Sequence, residues 1–266
     1  EMSSKKVIKL TAAQALIRFM IAQKVKINDD IKPLFPGVWA IFGHGNVAGI
    51  GEALFQHQEV LPTYRGQNEQ SMAHAAIAYS KTLNRQQIMA CTSSAGPGST
   101  NIVTAAALAH INRIPLLLLP GDTFATRIPD PVLQQLEDNT DQTITTNDCF
   151  KPVSRFFDRI MRPEQLLTSL PQAIRVLTDP VDTGTVTIAL PQDVQTMSWN
   201  YPERFFEEKI HFLRRQHADE NQLKNAVQMI LKAKKPVIIA GGGIHYSLAT
   251  KELKDCLLYT SDAADE

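Results

Sequence analysis

Short apolar runs alternate with amphipathic segments along most of the chain. Buried strands are predicted at 38–42, 61–64, 87–92, 116–119 and 185–190, and helices between them at 69–81 and across 104–109. Near the start, Thr11-Ala12-Ala13-Gln14 has the pattern of a capping box, which predicts that a helix begins there. Strands that alternate with helices are typical of a parallel sheet. The predicted fold class is therefore α/β, with helices on both faces of the sheet.

The pattern changes after position 196. Aromatic and charged residues then follow one another without clear periodicity, which predicts an interdomain linker. A helix is predicted at 221–232, and the apolar run at 236–240 before three glycines predicts a strand and a turn. The predicted organisation is a first domain at 1–196, a linker at 197–220 and the beginning of a second α/β domain at 221–255.

The last residues of the chain differ in kind from those before them. The stretch from Cys256 to Asp265 back-translates to a nucleotide sequence that resembles a transposase adapter used in sequencing libraries. We therefore predict that 256–266 is an adapter-derived scar and that the natural protein is interrupted near Asp255. The alternative is a genuine amphipathic C-terminus.

Composition and charge argue against several classes of protein. The chain carries 27 basic and 27 acidic residues, so no excess of charge indicates nucleic acid or an anionic membrane as a partner. Its longest apolar run, at 114–120, is far shorter than the roughly 20 residues that span a bilayer. The 3 cysteines are scattered, which predicts neither a disulfide framework nor a zinc site and favours a reducing, cytoplasmic setting.

One carboxylate and two glycine-rich loops follow predicted strands. Glu69 begins a predicted helix, where the helix dipole favours an acid, so by itself it is explained as a stabilising residue. The stretches 42–46 and 93–101 follow two other strands, and each alone is typical of a tight turn. Ligands of parallel sheets bind beyond the carboxyl ends of the strands, and glycine allows the backbone to approach them closely. The three features together predict a ligand site.

These stretches resemble the pyrimidine-binding domain of the acetolactate synthase and pyruvate oxidase family of thiamine-diphosphate enzymes. The resemblance extends from near Leu10 to Asp255. The stretches that carry it include Phe42-Gly43, Asn68-Glu69-Gln70, Gly96-Pro97-Gly98-Ser99-Thr100-Asn101 and Leu190-Pro191-Gln192-Asp193-Val194. The family implies the α/β fold that the strand pattern also predicts.

Within the family, the chain resembles the branch that opens a cyclic polyol 1,2-dione in inositol catabolism. Residues 42–47, 124–135 and 151–155 carry this likeness. Asn68 stands where acetolactate synthase-like members usually carry His, and Gly45-Asn46 where they usually carry Pro-Gly. The resemblance implies a hydrolase that cleaves the C–C bond between the two carbonyls of this small molecule and yields 5-deoxy-glucuronate.

The resemblance also implies the roles of individual residues. Glu69 is expected to be catalytic, because a carboxyl group on N1′ of the cofactor's aminopyrimidine favours the tautomer that removes the thiazolium proton. His44 and Gln134 are expected near the substrate, although His44 is also consistent with a solvated loop residue. Contacts to thiamine diphosphate are expected from Glu69, Gly43, Gly45, Asn46, Gly96, Pro97, Gly98 and Asn101.

Two further partners are implied by the resemblance. The cofactor is expected between the subunits of a homodimer or homotetramer. Mg²⁺ is expected in a domain C-terminal to this chain. Within the chain, Gly121-Asp122 followed by Asn147 echoes the magnesium motif of the family, but Thr123 replaces its last glycine, so no metal site is predicted here.

Other functions remain open at this point. An acetolactate synthase-like carboligase would use the same cofactor to join acyl groups. A non-catalytic pyrimidine-type domain would act as an assembly module. A nicotinamide-binding protein is the least favoured, because the chain lacks an acidic ribose ligand at a suitable distance from its glycine-rich turns.

Overall fold

The computed structural model describes residues 6–129, 132–136 and 140–261. The chain divides into two compact units, Glu1–Leu213 and Arg214–Glu266. The strands are β1 (Val7–Thr11), β2 (Gln23–Ile27), β3 (Asp30–Pro33), β4 (Val38–Ile41), β5 (Thr63–Arg65), β6 (Ala90–Ser93), β7 (Leu116–Asp122), β8 (Phe156–Arg159), β9 (Thr185–Pro191), β10 (Ser198–Pro202) and β11 (Lys209–His211). The helices of the first unit are α1 (Ala12–Ala22), α2 (Gly43–Asn46), α3 (Glu52–Gln56), α4 (Glu69–Thr82), α5 (Pro97–Thr100), α6 (Val103–Asn112), α7 (Leu166–Leu177) and α8 (Gln192–Thr196). A π-helical turn occupies Val47–Gly51, and 3₁₀ turns occupy Thr146–Val153, Pro163–Gln165 and Glu203–Phe206.

The centre of the first unit is a six-stranded sheet with the order β5-β4-β6-β7-β9-β8. Every neighbouring pair in it is parallel. All carboxyl ends therefore lie at one edge of the sheet. This arrangement confirms the predicted parallel α/β fold.

Helices cover both faces of this sheet, as alternate residues of β9 illustrate. Val186 and Ile188 belong to the main hydrophobic core, which also contains Leu16 of α1 and Leu170 of α7. Thr185 lies on the opposite face, where its hydroxyl donates a hydrogen bond of 2.7 Å to a backbone carbonyl of α6. Successive side chains of a strand point to opposite faces, so α1 and α7 cover one face and α6 covers the other.

The first helix begins where the capping box predicts. Thr11 Oγ1 accepts a hydrogen bond from the Gln14 backbone N–H at 3.1 Å, and Gln14 Oε1 accepts one from the Thr11 N–H at 3.0 Å. These two contacts satisfy N–H groups that an isolated helix leaves without partners. Leu16, Ile17 and Met20 are then buried on the face of α1 that meets the core. Burial of each such side chain stabilises the fold by about 1.5–3 kcal/mol.

The segment predicted as a linker is structured over its first part. Residues 198–202 form β10, which pairs antiparallel with β1. Tyr201 is fully buried and donates a hydrogen bond of 3.0 Å to the carbonyl of Pro163. Phe205 stacks on Phe19 of α1 with ring centroids 4.8 Å apart. The aromatic residues that break the sequence pattern therefore pack on the first unit, through Leu213.

The second unit contains α9 (Glu220–Lys232), α10 (Gly242–Tyr246) and α11 (Thr250–Ser261). Helix α9 matches the helix predicted at 221–232. The strand predicted at 236–240 is absent, and Val237 and Ile239 are 87% and 92% exposed. A strand requires hydrogen bonds to a neighbouring strand, and the part of this unit that the structure describes contains only helices. The second-domain assignment and the adapter origin of 256–266 stay predictions.

Candidate active site

Three loops meet at the carboxyl edge of the sheet. Strand β4 lies between β5 and β6, and the strands are parallel. The loops that follow β4, β5 and β6 therefore leave the same edge side by side. They contain, in turn, the Gly43–Asn46 stretch, Glu69 and the Gly96–Asn101 stretch. A helix of the π type follows the first loop, a feature that often accompanies functional sites.

Glu69 is the first residue of α4, and its carboxylate lies at this edge. The preceding Asn68 caps the helix by accepting a hydrogen bond of 3.0 Å from the Ser71 N–H. Oε2 of Glu69 accepts a hydrogen bond of 2.8 Å from Nδ2 of Asn101, which belongs to the loop after β6. The side chain is half-buried. Burial raises the pKa of the nearby Cys91 thiol, and the negative charge of Glu69 raises it further. The carboxylate thus faces the loops and the end of β6.

The loop after β6 is shaped by two glycines with different roles. Gly96 has φ +66°, a conformation that L side chains rarely adopt, and a Cβ there would collide with the carbonyl oxygen of Gln134. Gly98 has space for a methyl group, which would lie 3.5 Å from Oε1 of Glu69. Pro97 is exposed at the start of α5. The backbone at Gly98 therefore borders Oε1 of Glu69, whereas Asn101 binds Oε2.

The loop after β4 contacts the loop after β6. Gly43 has φ +53°, and a Cβ there would lie 2.5 Å from the Ser94 side chain. His44 is half-buried and Ser94 is buried. In the part of the chain that the structure describes, His44 Nε2 and Ser94 Oγ are buried without a hydrogen-bond partner. A buried polar atom without a partner costs about 1–3 kcal/mol, so these two atoms are candidates for hydrogen bonds to a ligand.

Asn46, one of the residues predicted to contact the cofactor, is held inside the protein by hydrogen bonds. Its side chain is 0% exposed. Nδ2 donates to Thr92 Oγ1 at 3.0 Å and to the Ser93 carbonyl at 2.6 Å, while Oδ1 accepts from Gln195 Nε2 at 2.9 Å. These bonds tie the first loop to β6 and α8. The predicted contact of Asn46 with the cofactor stays a prediction.

Gln195 is a positioning residue that the sequence analysis missed. Besides Asn46, its Nε2 donates to the carbonyls of Gly45 at 3.3 Å and Leu190 at 3.0 Å. Its Oε1 accepts from the Ile50 N–H at 3.2 Å. Gly45 itself is buried. A glutamine in a short helix carries no local signal for such a role, because its partners in the first loop and the turn after it lie 145 to 150 positions earlier in the chain.

Gln134 lies at the rim of the site with its side chain exposed, and its backbone carbonyl covers Gly96. The segment that carries it is anchored by Asp193, whose carboxylate accepts the N–H groups of Ala125 at 2.9 Å and Thr126 at 3.2 Å. Gln135 is buried, and its Oε1 accepts from the Phe124 N–H at 3.2 Å. Asp193 belongs to a stretch that carries the family resemblance, but no role was predicted for it from the sequence.

The stretch that echoes a magnesium motif forms a structural network. Asp122 is buried and pairs with Arg159 at 2.7 Å, and Arg159 also lies 3.1 Å from Asp148. Asn147 Nδ2 donates to the Gly121 carbonyl at 2.8 Å. The Asp122 charge is thus compensated by a guanidinium group. Among the residues described, no group of three His, Cys, Asp or Glu side chains is arranged to hold a metal ion.

The carboxylate of Asp148 forms ion pairs with two side chains, Lys151 and Arg159. Burial acts to raise the pKa of Asp148, but hydrogen bonds from Lys151, the Thr145 N–H and Arg159 outweigh it, so this pKa lies below its usual value. The Lys151 ammonium lies 2.7 Å from the carboxylate.

In the described part of the chain, no helix is both long and apolar enough to cross a membrane.

Comparisons with known proteins agree with this architecture. Residues 38–143 match the family described as "Thiamine pyrophosphate enzyme, N-terminal TPP binding domain". The chain is 53% identical over 247 residues to "3D-(3,5/4)-trihydroxycyclohexane-1,2-dione hydrolase" of Bacillus cereus (strain AH820). Proteins of the same name from Bacillus anthracis (strain A0248) and Bacillus thuringiensis (strain Al Hakam) are also 53% identical.

Each of these matches covers 93% of this chain and 38% of the relative. The chain therefore spans well under half the length of the curated relatives that it matches. The aligned part includes the residues that match the TPP-binding domain family. Over residues 38–143, the chain is therefore similar to the N-terminal TPP-binding domain of thiamine pyrophosphate enzymes.

Proposed function

We propose that this chain is the pyrimidine-binding part of a thiamine-diphosphate-dependent hydrolase. Its substrate is 3D-(3,5/4)-trihydroxycyclohexane-1,2-dione, and the enzyme cleaves the C–C bond between the two carbonyls to give 5-deoxy-glucuronate. The identity of 53% to proteins of that name supports the substrate. The observation that carries the proposal is the position of Glu69, which is half-buried at the carboxyl edge of the sheet and bonded to Asn101 of the glycine loop after β6.

The residues at this edge suit an aminopyrimidine ring. Such a ring is flat, accepts a hydrogen bond at N1′ and carries an amino group. Oε1 of Glu69 faces Gly98, whose missing side chain leaves room for a flat ring against the backbone. Ser94 Oγ and His44 Nε2 are buried polar atoms without partners among the described residues. They supply further groups with which a polar ring or substrate forms hydrogen bonds.

The chemistry divides between the cofactor and the chain. When bound, thiamine diphosphate supplies the electron sink that allows a bond between two carbonyl carbons to break. Glu69 would hold a proton at the position of N1′ and so act as the proton-transfer group of the site. The Gly43 and Gly98 backbones bring the loops close to the ring. Gly45, Gly96 and Pro97 shape those loops, and Asn46 and Gln195 fix their position.

The substrate is placed next to the first loop. His44 is half-buried there, and its unpartnered Nε2 suits a hydroxyl group of a polyol ring. Gln134 lies at the rim, where its exposed side chain is available to a substrate that enters from solvent.

The remaining parts of the proposal concern the whole protein. We propose a cytoplasmic homodimer or homotetramer that holds the cofactor between subunits. Ala75 is half-buried and Ala78 exposed on α4, the helix that begins with Glu69, and small side chains there allow a second subunit to approach closely. Mg²⁺ binds the diphosphate through residues C-terminal to those that this chain spans. The domains are 1–196 for the pyrimidine-binding domain and 221–255 for the beginning of the next one, joined through 197–220.

The function is tested by assaying the full-length protein, with thiamine diphosphate and Mg²⁺, on two substrates. We expect hydrolysis of the trihydroxy dione and no acetolactate from pyruvate. Acetolactate formation without hydrolysis would replace the proposal by an acetolactate synthase-like carboligase. A full-length protein that binds no thiamine diphosphate and turns over neither substrate would indicate an assembly module.

A further inference from the structure

The contact between Glu69 and Asn101 joins two different loops of the site. Glu69 starts α4 after β5, whereas Asn101 is the C-cap that directly follows α5 in the segment after β6. Nδ2 of Asn101 lies 2.8 Å from Oε2 of Glu69, a short distance that is typical of a hydrogen bond to a carboxylate. The carboxylate therefore has two unlike oxygens. Oε2 is occupied by protein, and Oε1 faces Gly98.

The donor is held in place by its own turn. The backbone N–H of Asn101 donates to the Pro97 carbonyl at 3.2 Å. The same turn is tied to the sheet by Ser99, which is fully buried and whose hydroxyl donates to the Ser94 carbonyl at 2.9 Å. A glutamate at the start of a helix has several rotatable bonds and would otherwise sample many rotamers. Because Asn101 lies on a fixed turn, its hydrogen bond restricts the Glu69 side chain to one of these rotamers.

We propose that Asn101 is a positioning residue for Glu69: it binds Oε2 so that Oε1 is presented to N1′ of the aminopyrimidine. Asn101 then acts through Glu69 and has no contact with the cofactor itself. This revises the direct cofactor contact predicted from the sequence. It rests on the proposed function, since it assumes that Glu69 meets the pyrimidine ring. A group held in its productive geometry before the ligand binds needs no reorganisation during the reaction.

The inference is tested in the full-length protein with Asn101→Ala and Asn101→Asp. The first removes the donor, and the second keeps the shape of the side chain but places a carboxylate against Glu69. Asn112→Ala is the matched control, because Asn112 caps the far end of α6 through a bond to the Leu108 carbonyl. Two quantities are measured: thiamine diphosphate affinity by calorimetry on the apoprotein, and the exchange rate of the thiazolium proton at saturating cofactor.

We expect Asn101→Ala to slow the exchange by about tenfold to a hundredfold, the loss typical of a hydrogen bond to a charged group. Asn101→Asp should slow it at least as much. Affinity for the cofactor should change by less than about threefold in Asn101→Ala. In a Glu69→Gln background, Asn101→Ala should add no further loss, because both substitutions remove the same function. Asn112→Ala should match the wild type in both measurements.

Two results would overturn the inference while leaving the proposed function intact. One is exchange at the wild-type rate in both Asn101 variants. The other is an affinity loss as large as the loss of exchange, which would make Asn101 a direct cofactor contact. A wild-type protein that binds no cofactor, or does not accelerate exchange, would instead reject the proposed function and the inference with it. Asn101→Asp retains the length and shape of the side chain, so the test stands even if Asn101→Ala does not fold.

Discussion

Gly98 allows the effect of a substitution on stability to be separated from its effect on the site. A methyl group at this position would meet its nearest atoms, Ser94 Cβ and Glu69 Oε1, at 3.4 and 3.5 Å, which are ordinary contact distances. Gly98 lies inside α5, where alanine is favoured over glycine by about 0.5–1 kcal/mol. We therefore expect Gly98→Ala to fold and to be at least as stable as the wild type.

The same methyl group would occupy the space beside the free oxygen of Glu69. An extra methyl in a closely packed site costs about 1–3 kcal/mol, which corresponds to about 5-fold to 150-fold weaker binding. We expect this loss in the affinity of the full-length apoprotein for thiamine diphosphate, measured by calorimetry. Urea unfolding followed by circular dichroism measures the stability of the same samples.

Gly243→Ala provides the matched control. Gly243 also lies in a short helix, α10, and a Cβ there would meet no atom within 4 Å. This variant should bind the cofactor as the wild type does. Wild-type affinity in Gly98→Ala, with its stability retained, would refute the argument that the pyrimidine ring lies against the Gly98 backbone.

Two other substitutions test the supports of the site. Gly96→Ala should lower the free energy of unfolding by at least about 1–2 kcal/mol in urea, because a left-handed conformation is unfavourable for alanine and its methyl would displace the Gln134 carbonyl; unchanged stability would contradict this strain. Asp148→Asn tests the lowered pKa of this acid, whose usual value is 3.8. A lowered folded-state pKa contributes stability that is present above the unfolded-state pKa and is lost as pH falls through the folded-state pKa. The variant should therefore be less stable than the wild type at neutral pH, and the difference should shrink below about pH 4; a difference independent of pH in urea unfolding would contradict the assignment.

The strands β6, β7 and β9 could be predicted because every one of their residues is buried. Apolar runs such as 116–119 and 185–190 predict strands without knowledge of their partners. β8 escaped prediction because all four of its residues, Phe156–Arg159, are only half-buried and include two charged ones. Helix α7 also escaped prediction, because it contains Pro171, a residue that usually interrupts helices. The apolar run at 236–240 shows the opposite error, since a strand pattern without a neighbouring strand forms no sheet.

The candidate site was predictable where chemistry has a local signature. A carboxylate at a helix start and glycines after strands are visible in the sequence, as Glu69, Gly43 and Gly96 illustrate. Roles that depend on distant partners were not. Asn46 resembles a loop residue available to a ligand, but its side chain is bonded to Gln195, 149 positions later. Likewise, the bond from Asn101 to Glu69 spans 32 positions and joins two loops whose proximity follows from the strand order alone.

Turnover of the trihydroxy dione by full-length Glu69→Gln, compared with Glu52→Gln, tests whether the carboxylate at position 69 activates the cofactor. Glu52 is an exposed glutamate at the first position of α3, and it belongs to none of the three loops of the site. We expect Glu69→Gln to lower turnover by at least about 10²–10⁴-fold, the contribution typical of a proton-transfer group, with the fold retained by circular dichroism. Glu52→Gln should keep wild-type turnover. Normal turnover by folded Glu69→Gln would show that the carboxylate at position 69 takes no part in activating the cofactor.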